Sequence, residues 1–277
     1  MFSYLHRYHA GCFADIHKHL VLLGILQSLQ KKATPFCVLD SHAGEGVYDL
    51  NSVESRKTAE HLQGIHKLWN IKEPIDLVKD FLEIVGSYNK VGEHRYYPGS
   101  PAIMSQMLRS HDVGIFVEKH PQAITALRAF SRRQNKKIRV HERDSLEAIK
   151  ALVPFTEKRG LIFIDPSYEV KTEYVSIIET VQSAYQRFTQ GIFAVWYPIL
   201  TEGYHENLLR QLKKTGIKEI FQCEWSPHPE EPQGMIGSGM VIINSPWQLD
   251  VSLENTFKSL NKTLFTHGQY KQGWLYV

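Results

Sequence analysis

The sequence predicts an α/β fold: a mostly parallel, doubly wound sheet closed by an antiparallel hairpin, with a helical insertion after its first strand. Three observations carry this. Short apolar runs alternate with segments of helical period from Phe36 to Lys214, the pattern of strand–helix–strand units. Two strand-like runs, 217–225 and 239–244, then follow with no helix between them. Finally, the rhythm breaks between about Leu50 and Met107. In nucleotide-binding sheets of this kind the acid that reads the ribose sits about 20 residues past the glycine loop. Here the first acid that ends a strand is Glu118, far beyond Gly46, so about fifty residues are extra against that spacing. A stretch of that size seldom sustains its own core. The expectation is one domain over residues 1–277 with an inserted helical subdomain at about 50–107.

The elements follow in order. Ala14 to Lys31 reads as an amphipathic helix, with Ile16, Leu20, Leu23, Leu26 and Leu29 on or near one face. Phe36 to Asp40 is a buried strand feeding the glycine loop Ser41–Gly46. Within the insertion, 58–69 and 75–88 carry helical periodicity and Pro74 separates them. Strands are then expected at 114–118, 138–140, 160–165 and 191–196, with helices at 121–133, 145–152, 172–188 and 204–214 between and after them. With the closing pair this makes a seven-stranded sheet. Asn244-Ser-Pro-Trp247 follows the last strand and reads as a structural turn.

Composition narrows the classes. Hydrophobic residues are 43% and charged residues 22% of the 277, as in ordinary globular chains, which excludes bulk disorder. No apolar run approaches the roughly 18 residues a membrane span needs, and the first residues show no secretory pattern. Cys12, Cys37 and Cys223 are odd in number and far apart, so neither a disulfide framework nor a zinc spacing is expected. A reducing, cytoplasmic setting fits. Four of the 14 histidines, His6, His9, His17 and His19, lie near the start. They lack the cysteine partners or i,i+4 spacing of a metal site, so no metal is expected, and His17 reads as a solvated helix residue. The net charge of +3 does not identify a nucleic-acid binder, although Arg128, Arg132, Arg133, Lys136, Lys137 and Arg139 concentrate charge locally. They are either a solvated helix end or a phosphate-contact patch. Arg7, Lys18, Arg56 and Lys57 are further cationic candidates around the mouth of the site.

Three constellations bear on chemistry. Gly44 and Gly46 allow a sharp turn and close approach to a ligand, though Asp49 stands where a dinucleotide pattern has its third glycine. Glu118 and Asp144 follow successive strands, placed to accept ribose hydroxyls and an exocyclic adenine amine. Asp165-Pro166-Ser167-Tyr168 after the fourth strand resembles the D-P-P-Y motif of amino-methyltransferases. An exocyclic purine amine is a poor nucleophile because its lone pair is conjugated with the ring. Two acceptors, the Asp165 carboxylate and the Pro166 carbonyl, hold its N–H groups and aim the lone pair at a methyl donor, while Tyr168 stacks on the base. Orientation of this kind supplies several kcal/mol of a barrier, and stacking helps to repay extrusion of a base.

At this point the residues resemble a family. Ser3-Tyr4, His9-Ala-Gly11, Ala14-Asp15 and Lys18-His19 are followed by Leu39-Asp40-x-His42-Ala-Gly44-x-Gly46 and Arg95-Tyr-Tyr-Pro-Gly-Ser-Pro101. Arg159-Gly-Leu-Ile-x-Ile-Asp165-Pro166, Trp196-Tyr-Pro198 and Ser238-Gly-Met240 complete the set. Together they resemble the bacterial 23S rRNA adenine-N6 methyltransferases of the large-subunit J type over nearly the whole chain. The resemblance implies a Rossmann-like class I methyltransferase fold, S-adenosyl-L-methionine as cofactor and 23S rRNA as partner. It implies that His19, His42, Ser100, Glu118 and Asp144 line the cofactor pocket beside Gly44 and Gly46. Asp165, Pro166 and Tyr168 are then catalytic, and Tyr4, Lys18, Arg132 and Arg133 meet RNA. Ser167 departs from the motif, which has a second proline there. A looser loop with slower or intact catalysis is expected, not loss. Alternatives are methylation of DNA adenine or of guanine N2 in rRNA, a nicotinamide-dependent oxidoreductase, and a non-catalytic RNA-binding protein.

Overall fold

Residues 4–229 and 234–276 are described by the structure, a computed structural model; Ser3 of the N-terminal motif lies outside them. Helix α1 (Phe13–Gln30) precedes β1 (Cys37–Asp40). A small sheet, β2 (Val47–Asp49) with β3 (Tyr96–Pro98), brackets the helices α2 (Val53–Thr58), α3 (Ile65–Leu68) and α4 (Asp76–Ser87). Then come α5 (Ser100–Met107), β4 (Val113–Glu118), α6 (Pro121–Arg132), β5 (Lys137–Glu142), α7 (Ser145–Leu152) and β6 (Gly160–Ile164). The chain continues through α8 (Glu173–Arg187), β7 (Ile192–Leu200), α9 (Tyr204–Lys214), β8 (Ile220–Ser226), β9 (Met235–Ile243), α10 (Leu249–Thr263) and β10 (Gln269–Tyr276).

The main sheet has the order β10-β8-β9-β7-β6-β1-β4-β5. β1 lies between β4 and β6, parallel to both, with Cys37 opposite Val113 and Gly160. Every residue of β1 and β6 is buried, as expected for strands covered on both faces. β5 ends the sheet, and Lys137 and Arg139 are exposed along it, which discourages pairing with another edge. β9 runs antiparallel to β7 and β8. The eighth strand, β10, pairs antiparallel to β8 and extends the seven-stranded expectation. Chain order reverses at β1, with the next strand β4 on one side and β6 on the other. A crevice therefore opens at the carboxyl ends of these strands.

Helix α1 differs from its expected amphipathic form. Thirteen of its residues are buried, from Ala14 to Leu29, because α4, α5 and α10 cover it on one side and β7 and β9 on the other. A helix surrounded in this way is apolar nearly all round. The exceptions, Asp15, His17, Lys18 and His19, need buried partners, since an uncompensated buried charge costs several kcal/mol. Those partners define the site.

Candidate active site

A cavity of about 350 Å³ lies at the carboxyl ends of β1, β4 and β6. Of the residues singled out in the sequence, Tyr4, His19, His42, Gly44, Ser100, Glu118, Asp144, Asp165 and Pro166 line it, with Ser167 beside them. Asp165 therefore shares one space with Gly44 and Glu118.

The loop after β1 is shaped by glycine and by one carboxylate. Gly44 and Gly46 have φ of 64° and 93°, where a side chain is strained, and a Cβ on Gly46 would stand 2.8 Å from the Phe130 ring. Gly46 itself does not line the cavity; it sets the turn. Glu118 ends β4 and accepts the Gly44 N–H at 2.8 Å through Oε2, and those of Lys119 and His120 at 2.8 and 2.6 Å through Oε1. A carboxylate has about four acceptor positions, so Glu118 fixes the loop and keeps capacity toward the cavity. Asp144 caps α7 by accepting from the N–H groups of Leu146 and Glu147 at 3.0 and 3.3 Å, and Lys119 Nζ donates to its other oxygen at 3.3 Å. Partial burial opposes its ionisation, but these donors prevail and hold it below the usual range. Ser100 opens α5 behind Gly99 and is 6% exposed.

The histidines do not converge on a metal. His6 meets Asp15, His9 meets Glu60, His17 meets Ser238 and His19 meets Tyr97. Among the described residues, no group of three or more His, Cys, Asp or Glu stands together to hold an ion. Burial lowers His19 to about 3 and His42 to about 4, so both rings are neutral near pH 7. The cavity's charge then comes from Glu45, Glu118, Asp144, Asp165, Glu169 and Glu173 against Lys119 and Arg143. It is acidic.

On the other wall a buried chain of charges supports Asp165. Lys18 Nζ donates to Asp165 Oδ2 at 2.6 Å and stands 3.1 Å from Asp15 Oδ1. Asp15, fully buried, also meets His6 Nε2 at 2.9 Å and accepts the Gly11 N–H at 2.8 Å. Tyr4 hydroxyl lies 2.9 Å from His6 Nδ1. Burial opposes the charge on Lys18, yet Asp165 and Asp15 hold its pKa above the ordinary lysine value. Burial raises Asp165 and Lys18 only partly offsets it, which leaves a carboxylate more basic than an exposed aspartate. Asp40, at the end of β1, is also enclosed. It accepts the His42 N–H at 3.2 Å, its Oδ2 has no hydrogen-bond partner, and burial raises it to about 7.

Several expectations are corrected. Lys18 was expected at the RNA; it is 4% exposed and held by two carboxylates, which turns its ammonium toward Asp15 and Asp165 and away from solvent. His17 is no solvated residue, being fully buried against Ser238. Tyr168 was expected to stack on a base. Its φ of 52° turns it inward, its ring packs on Tyr174 with centroids 4.3 Å apart, and its hydroxyl donates to the Trp196 carbonyl at 2.6 Å. The aromatic ring on the cavity wall is Trp196, with Lys18 Nζ 4.7 Å from its centre. The sequence marks Trp196 as the end of the expected strand 191–196, His6 as one of four clustered histidines, Asp15 as part of the N-terminal motif and Asp40 as the residue before the glycine loop, but none of these patterns reports the contacts around Asp165. Arg132 and Arg133 are exposed on the last turn and cap of α6, outside the cavity. Arg7 is engaged by Glu45 and Glu54 at 2.8 and 3.1 Å, while Arg56 and Lys57 are exposed on α2.

Residues 33–276 match the family model described as "Ribosomal RNA large subunit methyltransferase D, RlmJ". The chain belongs to this family. Two curated relatives named "Ribosomal RNA large subunit methyltransferase J" agree with that membership. The one from Escherichia coli (strain K12) is 38% identical over 269 residues, covering 97% of this chain and 96% of the relative. The one from Haemophilus influenzae (strain ATCC 51907 / DSM 11121 / KW20 / Rd) is 38% identical over 271 residues, with the same two coverages. A crystal structure of a protein from Legionella pneumophila str. Philadelphia 1 superposes with a TM-score of 0.88 at 34% identity, covering 96% of this chain and 98% of that one. The fold of this family member is the Rossmann-like class I methyltransferase fold, with β10 added at one edge.

Proposed function

We propose that the protein methylates the exocyclic N6 of one adenosine in 23S rRNA, with S-adenosyl-L-methionine as the donor. The observation that carries this is the meeting of Asp165, Pro166 and Trp196 with Glu118, Asp144 and the Gly44 loop in one cavity. The acidic lining fits a donor that carries a sulfonium and an ammonium. It suits the diphosphate of a nicotinamide dinucleotide poorly, since anions are drawn to helix N-termini and basic groups. Glu118 and Asp144 are placed to hold the donor's ribose and adenine, and His19, His42 and Ser100 to line the remainder.

When bound, the donor supplies an electrophilic methyl group on sulfur. The protein's part is orientation and proton acceptance. Asp165 and the Pro166 carbonyl accept the two N–H groups of the target amine and turn its lone pair out of conjugation. Trp196 covers the base. Lys18 keeps Asp165 ionised and fixes its direction. As the N–C bond formed, the S–C bond would break with its electron pair left on sulfur, and the amine would lose a proton to Asp165, made more basic by burial; acid–base assistance of this kind contributes roughly 10²–10⁴-fold. Tyr168 serves by bracing the loop through Trp196.

Residues 50–107 are, in this proposal, an insertion within a single methyltransferase domain, and Tyr4, Arg132 and Arg133 face the RNA. No helix among the described residues is long and apolar enough to cross a membrane, and we place the enzyme in the cytoplasm with its substrate. Mass spectrometry of 23S rRNA fragments from a strain lacking the gene tests the assignment. One adenosine should be lighter by the mass of one CH₂ unit; an unaltered methylation map would refute it.

A further inference from the structure

We propose that Ser238 and His17, neither of which lines the cavity, are positioning residues that lock the Trp196 indole so that it presents one fixed face to the target base. This rests on the adenine-methylation reading above. The indole Nε1 lies 2.9 Å from Ser238 Oγ, and the same oxygen lies 2.9 Å from His17 Nδ1. An indole N–H can only donate. Ser238 Oγ therefore accepts it, and the same hydroxyl group shares a second hydrogen bond with His17 Nδ1. The other ring nitrogen of His17, Nε2, faces Cys223 Sγ, 3.7 Å away. Ser238, His17 and Cys223 are all fully buried, so bulk water does not compete for these bonds. Phe257 seals the histidine edge-on, with ring centroids 5.0 Å apart.

The neighbouring residue on α1, Lys18, grips the same indole from another side, with its ammonium 4.7 Å from the ring centre and 2.6 Å from Asp165. Consecutive residues of one helix thus tie the base-covering ring to the amine-accepting carboxylate. Spending the indole N–H on Ser238 also removes the one donor that Trp196 has to offer a base. The wall is left as a plain aromatic surface, and recognition of the amine falls to Asp165 and Pro166.

The test uses the full-length protein with labelled S-adenosyl-L-methionine and a 23S rRNA fragment. Ser238→Ala should lower kcat about tenfold, the worth of one hydrogen bond of about 1.4 kcal/mol. KM for RNA and the dissociation constant for the donor should stay within about twofold, because phosphate contacts and the opposite wall are untouched. Ser238→Thr, which keeps the hydroxyl, should restore kcat. In ¹⁵N spectra the Trp196 indole N–H, assigned with Trp196→Phe, should lose its exchange protection in the alanine variant and regain it with threonine. If Ser238→Ala does not fold, His17→Leu against His17→Asn gives the same comparison, since the asparagine amide keeps a hydrogen-bonding partner for Ser238 Oγ and leucine does not. An unchanged kcat in Ser238→Ala, or a loss shared equally by donor affinity, overturns the proposal. A wild-type protein that transfers no methyl to RNA overturns the functional reading instead, and the indole exchange data still report on the bond.

Discussion

Asp165 carries the largest burden at the scale of single residues. Asp165→Asn keeps an acceptor oxygen but removes the base, so methyl transfer should fall by at least about 10² while calorimetry shows donor binding retained; near-normal turnover would remove Asp165 from catalysis. Since burial raises Asp165, single-turnover rates should climb with pH through its titration, and Asp165→Asn should flatten that limb. Ser167 is a milder case. Tyr168 is anchored to the Trp196 carbonyl at 2.6 Å, so the loop is braced without a second proline. Ser167→Pro should change the single-turnover rate by less than about tenfold, the size of one modest interaction, and a hundredfold gain would mean the natural loop is impaired. Asp40 gives a stability test. Its carboxyl titrates at 3.8 as a free group and at about 7 in the fold. The protonated acid therefore favours the fold fully below about pH 4, and that contribution is lost as pH rises through 7, at about 1.4 kcal/mol per unit. Asp40→Asn should lose less stability than wild type between pH 5 and pH 8 in urea titrations; parallel curves would show that Asp40 is ionised throughout.

Among elements, the strands of the parallel half were readable because burial on both faces writes them as continuous apolar runs, such as Gly160–Ile164. The glycine loop and Glu118 were readable for the same reason, since they stand where such runs stop, whereas Asp144 follows the half-exposed edge strand β5. Helix α1 was found but its surroundings were not, because a leucine stripe reveals one buried face while α4 and α10 cover the other through contacts distant in sequence. Helix α10 carries Leu249, Leu253, Phe257 and Leu260 at helical spacing, yet it follows the hairpin that seemed to close the sheet. The strand β10 after it alternates weakly and sits at an edge. Asn244 did prove a turn residue, with φ of 56° and its side-chain amide donating to the carbonyls of Thr189 and Gly191 at 2.7 Å. The end of α6 offers the element-scale prediction. Arg132→Glu with Arg133→Glu should weaken RNA binding uniformly and reduce the slope of log affinity against log salt by about 1.4–1.8, the contribution of two phosphate contacts. An unchanged slope would mark this helix end as merely solvated.

Over the whole molecule, the sheet's reversal at β1 creates the crevice, and α1 carries the charged residues that complete it from the far side. That second contribution was hidden in the sequence: Lys18, itself held by Asp15, meets Asp165 across 147 residues, and no local pattern reports such a contact. Tyr168 misled for a related reason, since a motif gives residue types but not the backbone angle that turns a ring inward. In the proposed reaction one acidic cavity brings a sulfonium donor to an adenine amine held by Asp165. The most direct measurement is nucleoside analysis of unmodified 23S rRNA after incubation with purified protein and labelled donor. Label should appear in N6-methyladenosine alone, at one position. Label in N2-methylguanosine, or in no nucleoside, would contradict it.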